Sequence, residues 1–288
     1  MENIVTKQDL EDKLNQIKLN CKNPKYGVFG PNSIYWLIGK ESIVFLGSGY
    51  ALLMQEAHPW VSTGAHHHSK VKNDPFGRWK RTFNVVNTML FGNLEEAFKV
   101  ARMTHNIHSK VKGNLENGEQ YYANHQEALL WVASTLFYTA LWTYEDGVRI
   151  LTKKELNQYY DEFKLFCFLF GISEEIIPKN YNDFMVYYNN FVNKNLKVNK
   201  HAKELIKHFT GKFNSRLHPL HIPSKLFMDL TANMLPLKIA EAYGFKNNSL
   251  KNFGLDLMTQ NINLLYSKLP LKLRMNPYYR SAMKKHKL

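Results

Sequence analysis

Three shortages in the sequence each exclude a class of protein. Two cysteines in 288 residues, Cys21 and Cys167, form no disulfide framework and have no metal-ligand spacing. Cys167 lies in the apolar run FKLFCFLFG, where an inert buried thiol is expected rather than a haem thiolate. A reducing, cytoplasmic location is the expectation. The first residues, MENIVTKQDLEDKLNQ, mix charges and lack the apolar core of a secretory signal. Long apolar runs are also missing. The longest, Ala128–Tyr144, has 17 residues and carries Ser134, Thr135, Thr139 and Thr143. That is the short limit for spanning a bilayer. It is read as a buried central helix of a soluble protein.

Acids are the third shortage. Against 38 Lys and Arg there are 24 Asp and Glu, for a formal charge of +14. Residues 268–288 hold seven of the cations (Lys268, Lys272, Arg274, Arg280, Lys284, Lys285, Lys287) and no acid, half of the net charge. This basic tail is expected to be a solvated face, with weak contact to an anionic membrane surface as its functional alternative. No helix-turn-helix, zinc-finger or RNP pattern is present, so specific nucleic-acid binding is not expected. Gly47-Ser48-Gly49 breaks an apolar stretch but opens no GxGxxG or Walker pattern.

What is present is helical periodicity on an ample apolar composition, 44% hydrophobic and 14% aromatic. The expected fold is all-α, a single domain of about ten helices. Residues 1–29 form an N-terminal helix and loop, 30–267 the main body, and 268–288 the basic tail packed on or extending from it. Thr6 with Asp9, Asn124 with Glu127 and Thr152 with Glu155 are expected capping boxes. Ser33–Phe45 reads as a helix turn followed by a strand-like piece, and Tyr50–Ala57 as a helix. His66, His67 and His68 sit in an expected loop or helix end, where neighbouring histidines rarely close one metal site. Pro236 is expected to kink or divide a helix over 225–243, with Gly244 as its stop.

The richest stretch is Asp74–Gly113. Asp74 is expected to cap a helix that starts at Pro75. Gly92 is expected to end it in the left-handed conformation. Asn93 then restarts a helix, closing a capping box with Glu96. At about 100° per residue, His108 falls at the middle of that second helix's apolar face, above Ala97, Ala101 and Thr104. These small neighbours leave room for something flat to reach the imidazole. Arg78 and Thr82 lie one turn apart on the first helix, and an arginine in a first turn opposes the helix dipole. An anionic partner would explain it. A haem offers both a flat ring and two carboxylates. On pattern alone, the plainer reading is a core histidine and a surface arginine.

The sequence GPNSIYWLIGKESIVFLGSGYALLMQEAHPWVSTGAHHHSKVKNDPFGRWKRTF resembles the opening of MpaB-type oxygenases, relatives of the latex-clearing rubber oxygenases. The likeness continues through Phe91-Gly92, the HxxVxG of His108–Gly113, YYAN…LLWVASTL, NMLPLKIAEAYGF and RMNPYYRSAM. It runs over roughly residues 30–283. AHP, DPxGRxxxT and HxxVxG in this order are far more specific than any one of them. The resemblance implies a globin-like helical core holding one haem b, with His108 as the iron ligand and His105 as its competitor. It places Arg78, Thr82, Ala101 and Thr104 around the haem, and His58, Gln55, Lys80 and Arg81 as candidates for the catalytic side. The implied chemistry is activation of O2 toward a small apolar substrate, isoprenoid or lipid-like. A departure limits this: rubber-cleaving relatives use a glutamate base, and no acid lies between His58 and Asp74. Two other readings stand beside it, a non-catalytic helical protein binding haem or an apolar ligand, and a metal hydrolase using His58 with His66–His68.

Overall fold

Signals at helix starts account for much of the architecture. The computed structural model describes residues 3–69, 75–211, 221–246 and 249–287, and within these the side chains of 75, 76, 79, 208–211, 221–224, 250 and 251 are left aside. At Thr6 the hydroxyl accepts from the Asp9 N–H at 3.1 Å, and the Asp9 carboxylate accepts from the Thr6 N–H at 2.8 Å. Helix α1 (Lys7–Asn20) starts there and buries Leu10, Leu14 and Ile17. Ser33 caps α2 (Ile34–Gly39). The strand-like piece expected after α2 is instead a 3-10 turn, Ser42–Phe45. The reason lies outside this segment. The Ile43 N–H donates to the Tyr266 hydroxyl at 3.1 Å, while at the start of α2 Glu162 accepts the N–H groups of Ile34 and Tyr35, at 3.1 and 2.8 Å.

Helix α3 (Ser48–Glu56) begins at Gly47, so the glycine pair opens an element rather than breaking one. Close approach explains both glycines. A Cβ on Gly47 would stand 2.3 Å from Thr139 Cγ2, and one on Gly49 would stand 2.2 Å from Thr231 Oγ1. Helix α4 (Pro59–His68) carries the three histidines in its last turn, the helix end that was one of the two expected places; Pro59 at its first position is preset for helix, and His58 caps it. Then come α5 (Pro75–Phe91) and α6 (Leu94–His108). The predicted cap Asp74 lies outside the described residues, whereas the Asn93–Glu96 box is formed. Gly92 is not left-handed as expected. It is needed for space, since a Cβ there would lie 2.5 Å from the Thr88 carbonyl oxygen.

A short hairpin, β1 (Lys112–Asn114) and β2 (Gln120–Tyr122), pairs Gly113 with Tyr121. It was not anticipated, being too short to show an alternating pattern. Helix α7 (Gln126–Gly147) is the expected buried centre, though its cap is His125. Asn124 is drawn away because its side-chain amide donates to the His105 carbonyl. Helix α8 (Lys153–Phe168) has the Thr152–Glu155 box. The remaining helices are α9 (Tyr181–Lys194), α10 (Lys200–Gly211), α11 (His221–Met234), α12 (Leu237–Tyr243), α13 (Ser249–Tyr266), α14 (Leu271–Arg274) and α15 (Pro277–His286). Pro236 divides α11 from α12, and Gly244 stops α12 at φ +89°. Fifteen α-helices among the described residues make the chain all-α, with more and shorter helices than the ten expected.

The core is built on α7. Trp131 stacks on Phe191 at 4.4 Å between ring centroids, and Phe137 stacks on Tyr159 at 4.5 Å. Cys167 is fully buried, and burial pushes its thiol well up. Residues 268–287 fold back onto the body. Asn276 donates to the Gly39 carbonyl, His286 is buried against the Phe91 carbonyl, and Arg274 pairs with buried Glu41. No helix among the described residues is long and apolar enough to cross a membrane.

Candidate functional site

Helix α6 carries the strip of small residues that the sequence indicated. Ala97 and Ala101 are buried on one face, followed by Thr104 and His108. Two polar atoms on this strip, Thr104 Oγ1 and His108 Nδ1, are buried without a hydrogen-bond partner. A buried unmatched donor or acceptor costs about 1–3 kcal/mol, so two on adjacent turns call for an explanation. Burial is the main reason the His108 pKa is pushed down to about 4, with the nearby charges of His105 and Arg78 adding to it. Its imidazole is therefore neutral near pH 7 and keeps a lone pair for a ligand bond. His105 is differently placed: its Nε2 lies 3.0 Å from the Val5 carbonyl oxygen.

Helix α5 packs against α6 and brings in Arg78. Its Nη1 donates to Glu56 Oε1 at 3.1 Å, and the Glu56 side chain is only 2% exposed. Burial pushes the Glu56 carboxyl above its usual range, while Arg78 draws it back. A cavity of about 180 Å3 opens from Arg78 between α3, α5 and α7. Ala51, Leu52, Phe83, Val86, Leu136 and Ala140 give it apolar walls, and Gln55, Thr82 and Thr139 add a few polar groups. The Thr82 hydroxyl donates to the Arg78 carbonyl at 3.2 Å, and Gln55 donates to Thr135 Oγ1 at 2.9 Å. Arg78 thus connects the two features: it lines the cavity and acts electrostatically on His108.

The other sequence candidates lie elsewhere. His58 is buried as the cap of α4, where its Nδ1 accepts the Trp60 N–H at 3.2 Å and its ring stacks on Phe191. Burial pushes its pKa down to about 4. It does not line the cavity, and neither do Lys80 and Arg81, which are exposed on α5. The histidines whose ring nitrogens converge are His66, His67 and His201, so His58 and His68 are not part of that group. Sequence reasoning missed Glu56. Its signal was a lone acid inside the apolar helix ALLMQEA, two residues before His58.

The family described as ER-bound oxygenase mpaB/B'/Rubber oxygenase, catalytic domain, matches residues 35–260. The chain belongs to this family. No curated protein and no solved structure matches it. The oxygenase catalytic domain therefore runs from α2 into α13 and contains Glu56, Arg78, Thr82, Thr104, His108 and all of the cavity's lining but Asn276. The donor set fits a haem: His108 offers an unpartnered, neutral imidazole over small residues, and Arg78 offers a cation beside it. At about 180 Å3 the cavity lies below the range of roughly 300–1,000 Å3 common for ligand clefts.

Proposed function

We propose that the chain is a haem b-dependent oxygenase that acts with O2 on a small apolar substrate, isoprenoid or lipid-like. The observation that carries the reading is the buried, unpartnered Nδ1 of His108 within a domain of oxygenase type. His108 would hold the haem iron, with Ala101 and Thr104 giving the ring its room on α6. Arg78 would face a propionate, and Thr82 keeps Arg78's turn of α5 closed by bonding its carbonyl. Bound haem would supply the activation of O2.

The chain's own residues do the rest. Glu56 fixes the Arg78 guanidinium from one side, so the cation is oriented before any ligand arrives. The apolar walls contributed by Ala51, Leu52, Phe83 and Val86 bind the substrate and exclude water. Gln55 is the one polar candidate from the catalytic side that lines this cavity, and in this proposal its amide orients the reacting end. His58, Lys80 and Arg81 receive no role at the cavity. The two unpaired cysteines suit a reducing, cytoplasmic setting. Lys268, Lys272, Lys284 and Lys287 are the tail cations that would face an anionic membrane surface, because Arg274, Arg280 and Lys285 bond within the fold.

Absorption spectra of the reduced protein with and without carbon monoxide test the reading. A Soret band that scales with protein, shifts with carbon monoxide and disappears in His108→Ala is expected. A chain that stays colourless after reconstitution with haem overturns it. Oxygen uptake with a reductant and candidate alkenes then separates an oxygenase from a carrier, which binds without turnover.

A further inference from the structure

Away from His108, the end of α4 meets the beginning of α10. Ring nitrogens of His66 and His67, from α4, and of His201, from α10, all lie within 4.8 Å of one another. The His66 and His201 rings are 3.9 Å apart by centroid. One turn beyond His201, Glu204 places Oε2 3.2 Å from His66 Nδ1. The backbone holds this meeting in place. Asn199, just ahead of α10, accepts the Ala202 N–H and donates to Thr63 Oγ1 on α4, at 2.9 and 3.2 Å. Lys200 is ion-paired with Glu116.

A second, independent observation points to a ligand. His201 Nδ1 is buried and has no hydrogen-bond partner, although two other imidazoles stand beside it. The support around the group is also that of a ligand set. Tyr121 places its hydroxyl 3.2 Å from His67 Nδ1, which fixes that ring and leaves Nε2 as the nitrogen to offer. Gly64 lets the hairpin approach closely enough for this, since a Cβ there would already touch Val111 and Tyr121. His66 and His67 lie in the last turn of α4, where the helix dipole favours a cation.

We infer that His66, His67, His201 and Glu204 form a binding site for one divalent transition-metal ion of the zinc class, clamping α4 to α10. Three imidazoles with one carboxylate are a borderline donor set; hard ions such as calcium and magnesium take oxygen ligands instead. Bonds of 2.0–2.2 Å at tetrahedral angles put ligand atoms about 3.3 Å apart, so the nitrogens need only small side-chain rotations to close on an ion. With Glu204 as fourth ligand the shell is complete, which makes the ion structural and not hydrolytic. The site is separate from the haem reading and stands whether or not that reading holds.

The test uses the full chain without an affinity tag, stripped with a chelator and titrated with cobalt(II). Visible d–d bands of tetrahedral cobalt that saturate at one ion per chain and are displaced by zinc are expected. In His201→Ala and in His66→Ala the bands should be lost. Glu204→Gln, a near-isosteric change at a half-exposed side chain, should weaken zinc binding about tenfold or more. Zinc should raise the Tm of the stripped chain by several degrees, and of His201→Ala not at all. Iron is counted separately by elemental analysis, so failure here is distinct from failure to bind haem. Absence of the bands, or bands that persist in His201→Ala, overturns the site.

Discussion

At His108 one buried imidazole nitrogen stands without a partner on a face shared with small side chains, with Arg78 acting on it. At the end of α4, three imidazoles converge and a carboxylate lies against one of them. Both are histidine sites on one helical scaffold, yet they suit opposite kinds of guest. A lone buried donor can hold a metal only if the metal arrives with its other bonds already made, as iron does in a macrocycle. A cluster can complete the shell of a bare ion by itself. The burial differs accordingly: His108 is enclosed enough for its pKa to be pushed down to about 4, whereas Glu204 stands 44% exposed at the rim of its group.

The sharpest way to break the comparison is a pair of crossed variants. His108→Ala should abolish the Soret band and leave cobalt binding intact, while His201→Ala should do the reverse. Loss of both signals in either variant, with the fold retained by circular dichroism, would merge the two sites into one.

Next in size is Arg78→Ala, which strands buried Glu56. Removing one partner of a buried pair costs about 3–5 kcal/mol at pH 7, an upper figure because Arg78 is 28% exposed. The Glu56 carboxyl is already held above its usual range. A group raised in the folded state adds stability at low pH and loses it as pH rises through the folded value. The gap to the wild type should therefore narrow from about pH 8 to about pH 5 in urea titrations. A gap that stays constant would remove Glu56 from the argument.

Acid sensitivity comes third. His58 and His108 are both held at about 4, below an ordinary value of 6.5. The unfolded chain takes up these protons first, so the stability each neutral ring contributes is present above pH 6.5 and is lost as pH falls toward 4. The loss is on the order of 3 kcal/mol for each ring. In the haem-free protein, His108→Asn should remove one share and leave that of His58. The smallest effect is expected at Arg102→Ala. It breaks an exposed pair with Glu11, for about 0.5 kcal/mol, and should alter neither the Soret band nor cobalt binding.

Much of the scaffold was legible because its signals are local. The boxes at Thr6, Asn93 and Thr152, the division at Pro236 and the burial of α7 depend on residues three or four apart. Asn124 failed as a cap because its amide found a partner on α6, and the strand-like reading of 42–45 failed where the Ile43 N–H is taken by the Tyr266 hydroxyl of α13. Both outcomes were set by groups more than a hundred residues away or on another element, which periodicity does not register. Gly92 was found as a stop, but for a steric reason rather than a left-handed one.

The sequence by itself determined that the chain is helical, where most helices start and end, and that His108 shares a face with Ala97, Ala101 and Thr104. These follow from the geometry of a single helix. Only the tertiary structure decided that Glu56 holds Arg78, that Gln55 rather than His58 borders the cavity, and that His201 joins His66 and His67. Each of those depends on how two helices cross, and crossing is set by packing of side chains distant in sequence.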